Sequence, residues 1–246
     1  MVRYAALAAL VLGAFGWGFS AGAYDLFPYP QARAAKAALL GVPETANAEY
    51  RLSEIPTISA ERYATLDTKA DIVMAGDSIT ASGRWNELFP DASIINRGVP
   101  GDRVGGLLAR AEDILRAEPS KVFVMIGIND VTARNTNAQI LERYAALVDR
   151  LSEGGAKVVV QSVITCRETR FNRCDDTMRE QVGRLNTELA RMAEDKGATF
   201  IDLDRRFSDA NGVLERFSMD GIHPGSAGFE EWRRMIAPLI SEEARQ

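Results

Sequence analysis

Asp71-Ile72-Val73-Met74-Ala75-Gly76-Asp77-Ser78-Ile79-Thr80 is a short apolar run that ends abruptly in a glycine, a carboxylate and a hydroxyl. The run Ile72–Ala75 is too short for a helix and does not alternate, which is the pattern of a strand buried on both faces. The same unit recurs downstream. Apolar runs at Ser93–Ile95, Val122–Ile126, Lys157–Ile164 and Thr199–Leu203 are each followed by turn residues. Most are then followed by apolar residues at helical spacing: Arg103–Ala117, Ala138–Glu153, Asp176–Lys196 and Ser226–Ile240. Strands alternating with helices predict a parallel sheet with helices on both faces, a three-layer α/β/α domain. Such sheets place their sites at the carboxyl ends of the strands.

The chemistry-bearing residues follow the predicted strands. Ser78 stands at the turn after the first. A serine hydroxyl is a weak nucleophile at neutral pH and needs a base beside it. The chain holds one histidine, His223, in Asp220-Gly221-Ile222-His223-Pro224. Any serine chemistry here must use that imidazole, and Asp220 is placed to hold its tautomer. After the second run comes Asn96-Arg97-Gly98-Val99-Pro100-Gly101-Asp102, where a glycine N–H can face an oxyanion without side-chain obstruction. Gly101, directly before Asp102, is the preferred donor, with Gly98 the alternative. After the third run comes Gly127-Ile128-Asn129-Asp130, whose Asn129 amide can donate into the same crevice. Each block alone has a plainer reading as a capped turn. Asp77 and Asp130 read as scaffold residues that bond loop backbones.

Together, in order, the four blocks resemble those of the SGNH hydrolases, the GDSL-like esterase and lipase family. Ser78 matches the Gly-Asp-Ser block, Gly101 the second block, Asn129 the Gly-x-Asn-Asp block and His223 the Asp-x-x-His block. The likeness covers roughly residues 70–240. Gly-Asp-Ser-Ile-Thr and Gly-Ile-Asn-Asp-Val are most similar to the branch of platelet-activating-factor acetylhydrolases and carbohydrate acetylesterases. Ile79 stands where the family's nickname has leucine. The resemblance implies a flavodoxin-like sheet of five parallel strands and ester hydrolysis through an acyl-enzyme, with no metal or cofactor. It implies Ser78, His223 and Asp220 as the catalytic group, and the Ser78 N–H, the Gly101 N–H and the Asn129 amide as the oxyanion hole. The expected substrate is a small-molecule or carbohydrate ester of a short acyl group, acetyl above all. An O-acyltransferase would use the same acyl-enzyme with a sugar hydroxyl in place of water. A lysophospholipase or thioesterase would need a long apolar groove, and no long apolar insertion adjoins Ser78, Asn129 or His223. A binding module without activity would lack one of the four residues.

The ends of the chain bear on location. No charged residue occurs from Tyr4 to Tyr24, while Arg3 precedes the run and Asp25 follows it. A helix of that length rises about 30 Å, one hydrocarbon core. Residues 1–24 therefore read as a transmembrane anchor, or as a signal peptide cleaved after Ala21-Gly22-Ala23. Residues 25–69 read as a linker and leading helical segment, and residues 70–246 as the hydrolase domain. Either N-terminal reading predicts export, with the domain outside the cytoplasm and membrane contact only through an uncleaved helix. Cys166 and Cys174, the only cysteines, are spaced to close a loop by a disulfide in an exported domain. Between them lie Arg167, Glu168, Arg170, Asn172 and Arg173, a polar loop that suits the rim of a site for a hydrophilic substrate. Two cysteines and a committed histidine are too few ligands for zinc. A net charge of −5 and scattered basic residues exclude a nucleic-acid footprint.

Overall fold

The computed structural model describes residues 68–169 and 172–241. The expected N-terminal apolar helix, most of the linker, and Arg170 lie outside the described residues. No helix among the described residues is long and apolar enough to cross a membrane.

Five parallel strands form one sheet: β1 (Ile72–Gly76), β2 (Ile94–Gly98), β3 (Lys121–Met125), β4 (Lys157–Gln161) and β5 (Thr199–Ile201). Their order is β2-β1-β3-β4-β5. All five residues of β1 and of β3 are buried. That continuous burial explains why the runs do not alternate: both faces of the sheet are covered. β1 is an interior strand, with Val73 opposite Ile95 on one side and Val122 on the other.

Right-handed crossovers sort the helices. The chain steps one way from β1 to β2 and the other way from β2 through β5, so the two sets of connections fall on opposite faces. Between β1 and β2 lie α1 (Ser78–Ala81) and α2 (Trp85–Leu88). Between β2 and β3 lie α3 (Val104–Ala109) and α4 (Ala111–Leu115). Then follow α5 (Ile128–Thr132), α6 (Asn137–Glu153) and α7 (Asp176–Asp195). Helix α6 packs against both α3 and α7, as one layer requires. After β5 come α8 (Asp204–Phe207), a small hairpin β6 (Ser208–Asp209) and β7 (Gly212–Val213), and α9 (Ser226–Ser241). Helix α9 joins the α2 side: the Trp85 and Trp232 rings meet edge to face at 4.9 Å. Phe207 and Phe229 pack on the same Trp232, whose indole N–H donates to Gln161 Oε1 at 2.7 Å. Such edge-to-face pairs suit the ring quadrupoles.

Several boundaries differ from the sequence reading, two of them for a visible reason. The expected helix Arg103–Ala117 is two helices, broken at Arg110. The Arg110 guanidinium turns inward to a buried ion pair with Asp102, 2.9 Å, which periodicity cannot foresee. Strand β2 begins and ends later than the run Ser93–Ile95, because Asn96, Arg97 and Gly98 still pair with Met74, Ala75 and Gly76.

Candidate active site

The register aligns three strand ends. Gly76 stands opposite both Gly98 of β2 and Met125 of β3. The residues that follow these strands therefore emerge along one edge of the sheet, at the point where the strand order reverses around β1. Ser78, Gly101 and Asn129 all belong to these segments.

Ser78 is the first residue of α1 and is half-buried. Asp77 caps that helix: its Oδ1 accepts from the Ile79 N–H at 2.9 Å. Asn96 braces the far end of the turn, its Nδ2 lying 3.0 Å from the carbonyls of Thr80, Ala81 and Gly83. Helix α1 is short, but both ends are pinned.

His223 reaches Ser78 from the loop before α9. Its Nε2 lies 2.9 Å from Ser78 Oγ, and its Nδ1 lies 2.7 Å from Asp220 Oδ2. The tautomer with hydrogen on Nδ1 satisfies both contacts. It leaves Nε2 as the acceptor for the serine proton. The other carboxylate oxygen, Asp220 Oδ1, accepts from the Ile222 N–H at 2.9 Å, the His223 N–H at 2.8 Å and the Ser218 hydroxyl at 3.1 Å. Burial alone would raise the Asp220 carboxyl. The hydrogen bonds from the His223 ring and from these two N–H groups outweigh it and bring it down to about 2. Asp220 is thus anionic at neutral pH, a fixed charge facing the imidazole.

The donor loops are held from below by a buried polar cluster. Asp102 Oδ1 accepts from the Arg103 N–H at 3.0 Å, and Asp102 Oδ2 from Arg110 Nε. Helix α3 is capped from α5: Asp130 Oδ2 accepts from the Val104 N–H at 3.0 Å. Gly101 turns with φ +78, a left-handed conformation that favours glycine. Its N–H, like that of Ser78, engages no hydrogen-bond acceptor among the described residues. The Gly98 N–H is engaged by Asn96 Oδ1 at 2.8 Å, which removes Gly98 as the free donor. Asn129 Nδ2 donates to the Asp102 carbonyl at 2.9 Å, and its other hydrogen meets Asp77 Oδ2 only at 3.5 Å, the limit of a hydrogen bond.

Sequence reasoning missed Ser218, Asn96 and Arg110. Ser218 stands two residues before Asp220, and a serine beside an aspartate is ordinary turn chemistry, so nothing local singles it out. Among the described residues no group of histidine, cysteine and acidic side chains could hold a metal ion.

A doubly wound parallel sheet with a serine, a histidine and an aspartate in hydrogen-bonded series at its strand ends defines a serine-hydrolase type of site. Residues 74–230 match the model of the GDSL-like lipase/acylhydrolase family, and the chain belongs to that family. It is a hydrolase. It is 26% identical to an acetylxylan esterase of Geobacillus stearothermophilus over 157 residues, which cover 59% of this chain and 72% of that one. It is 27% identical over 185 residues to the platelet-activating factor acetylhydrolase IB subunit alpha1 of Bos taurus, covering 71% and 76%. The fold matches the crystal structure of a GDSL-like lipase from Bacteroides thetaiotaomicron with a TM-score of 0.68. That likeness runs at 20% identity over 76% of this chain and 98% of the other.

Proposed function

We propose that this protein is a serine esterase that cleaves short-acyl carboxylic esters, acetyl esters above all, through an acyl-enzyme. The observation that carries the reading is the unbroken series from Ser78 Oγ through the His223 ring to Asp220, 2.9 and 2.7 Å. His223 takes the Ser78 proton as Oγ attacks the ester carbonyl. The tetrahedral oxyanion is received by the Ser78 and Gly101 N–H groups and by the Asn129 hydrogen now weakly turned toward Asp77. His223, charged and steadied by Asp220, returns its proton to the leaving alcohol. The carbonyl re-forms and leaves the acyl group on Ser78. Water, deprotonated by His223, repeats the attack and releases the acid and free Ser78.

Two sources support the acetyl preference. Both curated relatives carry an acetyl ester in their names, one on a carbohydrate. In the sequence, no long apolar insertion adjoins Ser78, Asn129 or His223, which favours a short acyl group. An ester on an envelope carbohydrate fits the expected export of the domain. The uncharged run Tyr4–Tyr24 supports that location, and so does the disulfide between Cys166 and Cys174.

A chromogenic ester series from acetyl to long acyl, run with the full chain, tests this. Turnover that peaks at acetyl supports the reading. A peak at long chains overturns the short-acyl part. Transfer of the acetyl group to an added oligosaccharide, without free acetate, overturns hydrolysis in favour of acyl transfer.

A further inference from the structure

The disulfide does not merely close a surface loop. The segment it closes runs from the end of β4 toward α7, and both cysteines are buried. Its described arms press on the loop that carries Asp220 and His223. The Arg167 N–H donates to the Gly221 carbonyl at 2.8 Å, and the Thr169 hydroxyl donates to the Asp220 carbonyl at 2.8 Å. The Arg167 side chain crosses to the neighbouring hairpin, with Nε on the Val213 carbonyl at 2.5 Å and Nη2 on Asp209 Oδ1 at 2.8 Å. The fit is close: Gly221 has φ +85, and a Cβ there would lie 2.2 Å from the Arg167 carbonyl oxygen. The second arm ties back to the first. Asn172 Nδ2 donates to the Arg167 carbonyl at 3.2 Å, and the Asn172 N–H to Thr169 Oγ1 at 3.2 Å. The strap is anchored in turn: the Thr165 N–H donates to Asp204 Oδ1 at 2.7 Å and Arg179 Nη1 to the Cys174 carbonyl at 2.9 Å.

These contacts divide the work at the site. The Asp220 carboxylate is fixed by groups of its own loop, namely Ser218, Ile222 and His223. Those bonds make the loop rigid within itself but do not set its distance from Ser78. The bonds to the Asp220 and Gly221 carbonyls come instead from the disulfide strap. A displacement of about 1 Å in a reacting group can cost on the order of 100-fold in rate.

We propose that Thr169 and Arg167 are positioning residues for Asp220 and His223, held in place by the Cys166–Cys174 bond, and that reduction of this bond loosens the imidazole from Ser78. The inference rests on the reading of Ser78, His223 and Asp220 as the catalytic group. It assigns the strap a part in turnover and none in substrate contact.

The test uses the full chain with 4-nitrophenyl acetate as substrate. The variants are Thr169→Val, Thr169→Ser and the double variant Cys166→Ala/Cys174→Ala, with circular dichroism and thermal melting to check the fold. Thr169→Val is expected to lower kcat on the order of 10-fold, about what one hydrogen bond contributes, with KM unchanged. Thr169→Ser, which keeps the hydroxyl, restores most of kcat. The double cysteine variant and the reductant-treated wild type lose kcat in the same direction. If the cysteine variant does not fold, the Thr169 pair decides. A folded Thr169→Val with wild-type kcat overturns the proposal. So does a loss confined to KM, or one that Thr169→Ser does not restore. Failure of the underlying reading shows separately, as wild-type turnover that survives Ser78→Ala.

Discussion

His223 Nε2 stands 2.9 Å from Ser78 Oγ although 145 residues of chain separate them. The sheet bridges that gap. Ser78 is set by the end of β1, and His223 by the loop that leads into α9. Because the two act as one unit, Ser78→Ala and His223→Ala should each lower kcat on the order of 10⁴-fold to 10⁶-fold, and the double variant no further than the worse single. Steady-state kinetics on acetyl esters check this. Losses that multiply would mean that the two residues act in separate steps.

Asp220→Asn replaces an acceptor of four contacts with a side chain that must present an N–H to some of them. The His223 tautomer is no longer held, and kcat falls on the order of 10³-fold to 10⁴-fold. In the wild type, Asp220 is brought down from the ordinary carboxylate value of 3.8 to about 2. Its contribution to stability is therefore fully present above pH 3.8 and is lost as pH falls toward about 2. Chemical denaturation across that window should show a loss in the wild type that is missing in Asp220→Asn. An identical loss in both would contradict the assignment.

On the proposed mechanism, Asn129→Ala removes one oxyanion donor and leaves the other two. It should cost on the order of 100-fold to 1000-fold in kcat with little change in KM, since the donor acts on charge that develops only in the transition state. A rise in KM alone would mean that Asn129 binds substrate rather than stabilising the oxyanion.

Asp77 is fully buried and its carboxyl is raised to about 7. Desolvation is the main cause, the Ile79 N–H opposes it, and the charges of Asp102 and Asp130 add to it. Between about pH 4 and 7 the folded chain keeps a proton that the unfolded chain has released. Its contribution to stability therefore falls as pH rises through that window. Asp77→Asn keeps a capping oxygen for Ile79 and abolishes the titration. Urea denaturation at about pH 5 and about pH 8 should show a smaller drop in the variant than in the wild type. Equal drops would mean that Asp77 does not hold its proton.

The strand and helix order was readable because it rests on local signals. Ile72–Ala75 and Val122–Ile126 advertise double-sided burial, and Ala138–Glu153 carries a clear helical stripe. Local signals fail where a distant partner decides. Arg110 breaks a helix to meet Asp102, and Asn96 and Arg97 continue β2 as polar residues because β1 supplies their pairing. At the site, the grouping of Ser78 with the single histidine and with Asp220, three residues before it, was readable, and the structure brings the three into contact. Asn96, Ser218 and Thr169 had no such signal, because their partners are backbone groups brought near only by the fold. The segment between Cys166 and Cys174 read as a polar rim, whereas its described arms lie against the backbone of the histidine loop. The cysteine pairing was legible from spacing, but its target was not.

Covalent trapping tests the central claim most directly. The full chain is treated with a fluorophosphonate, which phosphonylates a serine only when that serine is activated, and the adduct is mapped by peptide mass spectrometry. The account predicts a single adduct on Ser78, with labelling slowed severely in His223→Ala and hydrolysis of acetyl esters lost in step with labelling. A wild-type enzyme that hydrolyses esters while Ser78 stays unmodified, or that carries the adduct on another residue, would contradict it.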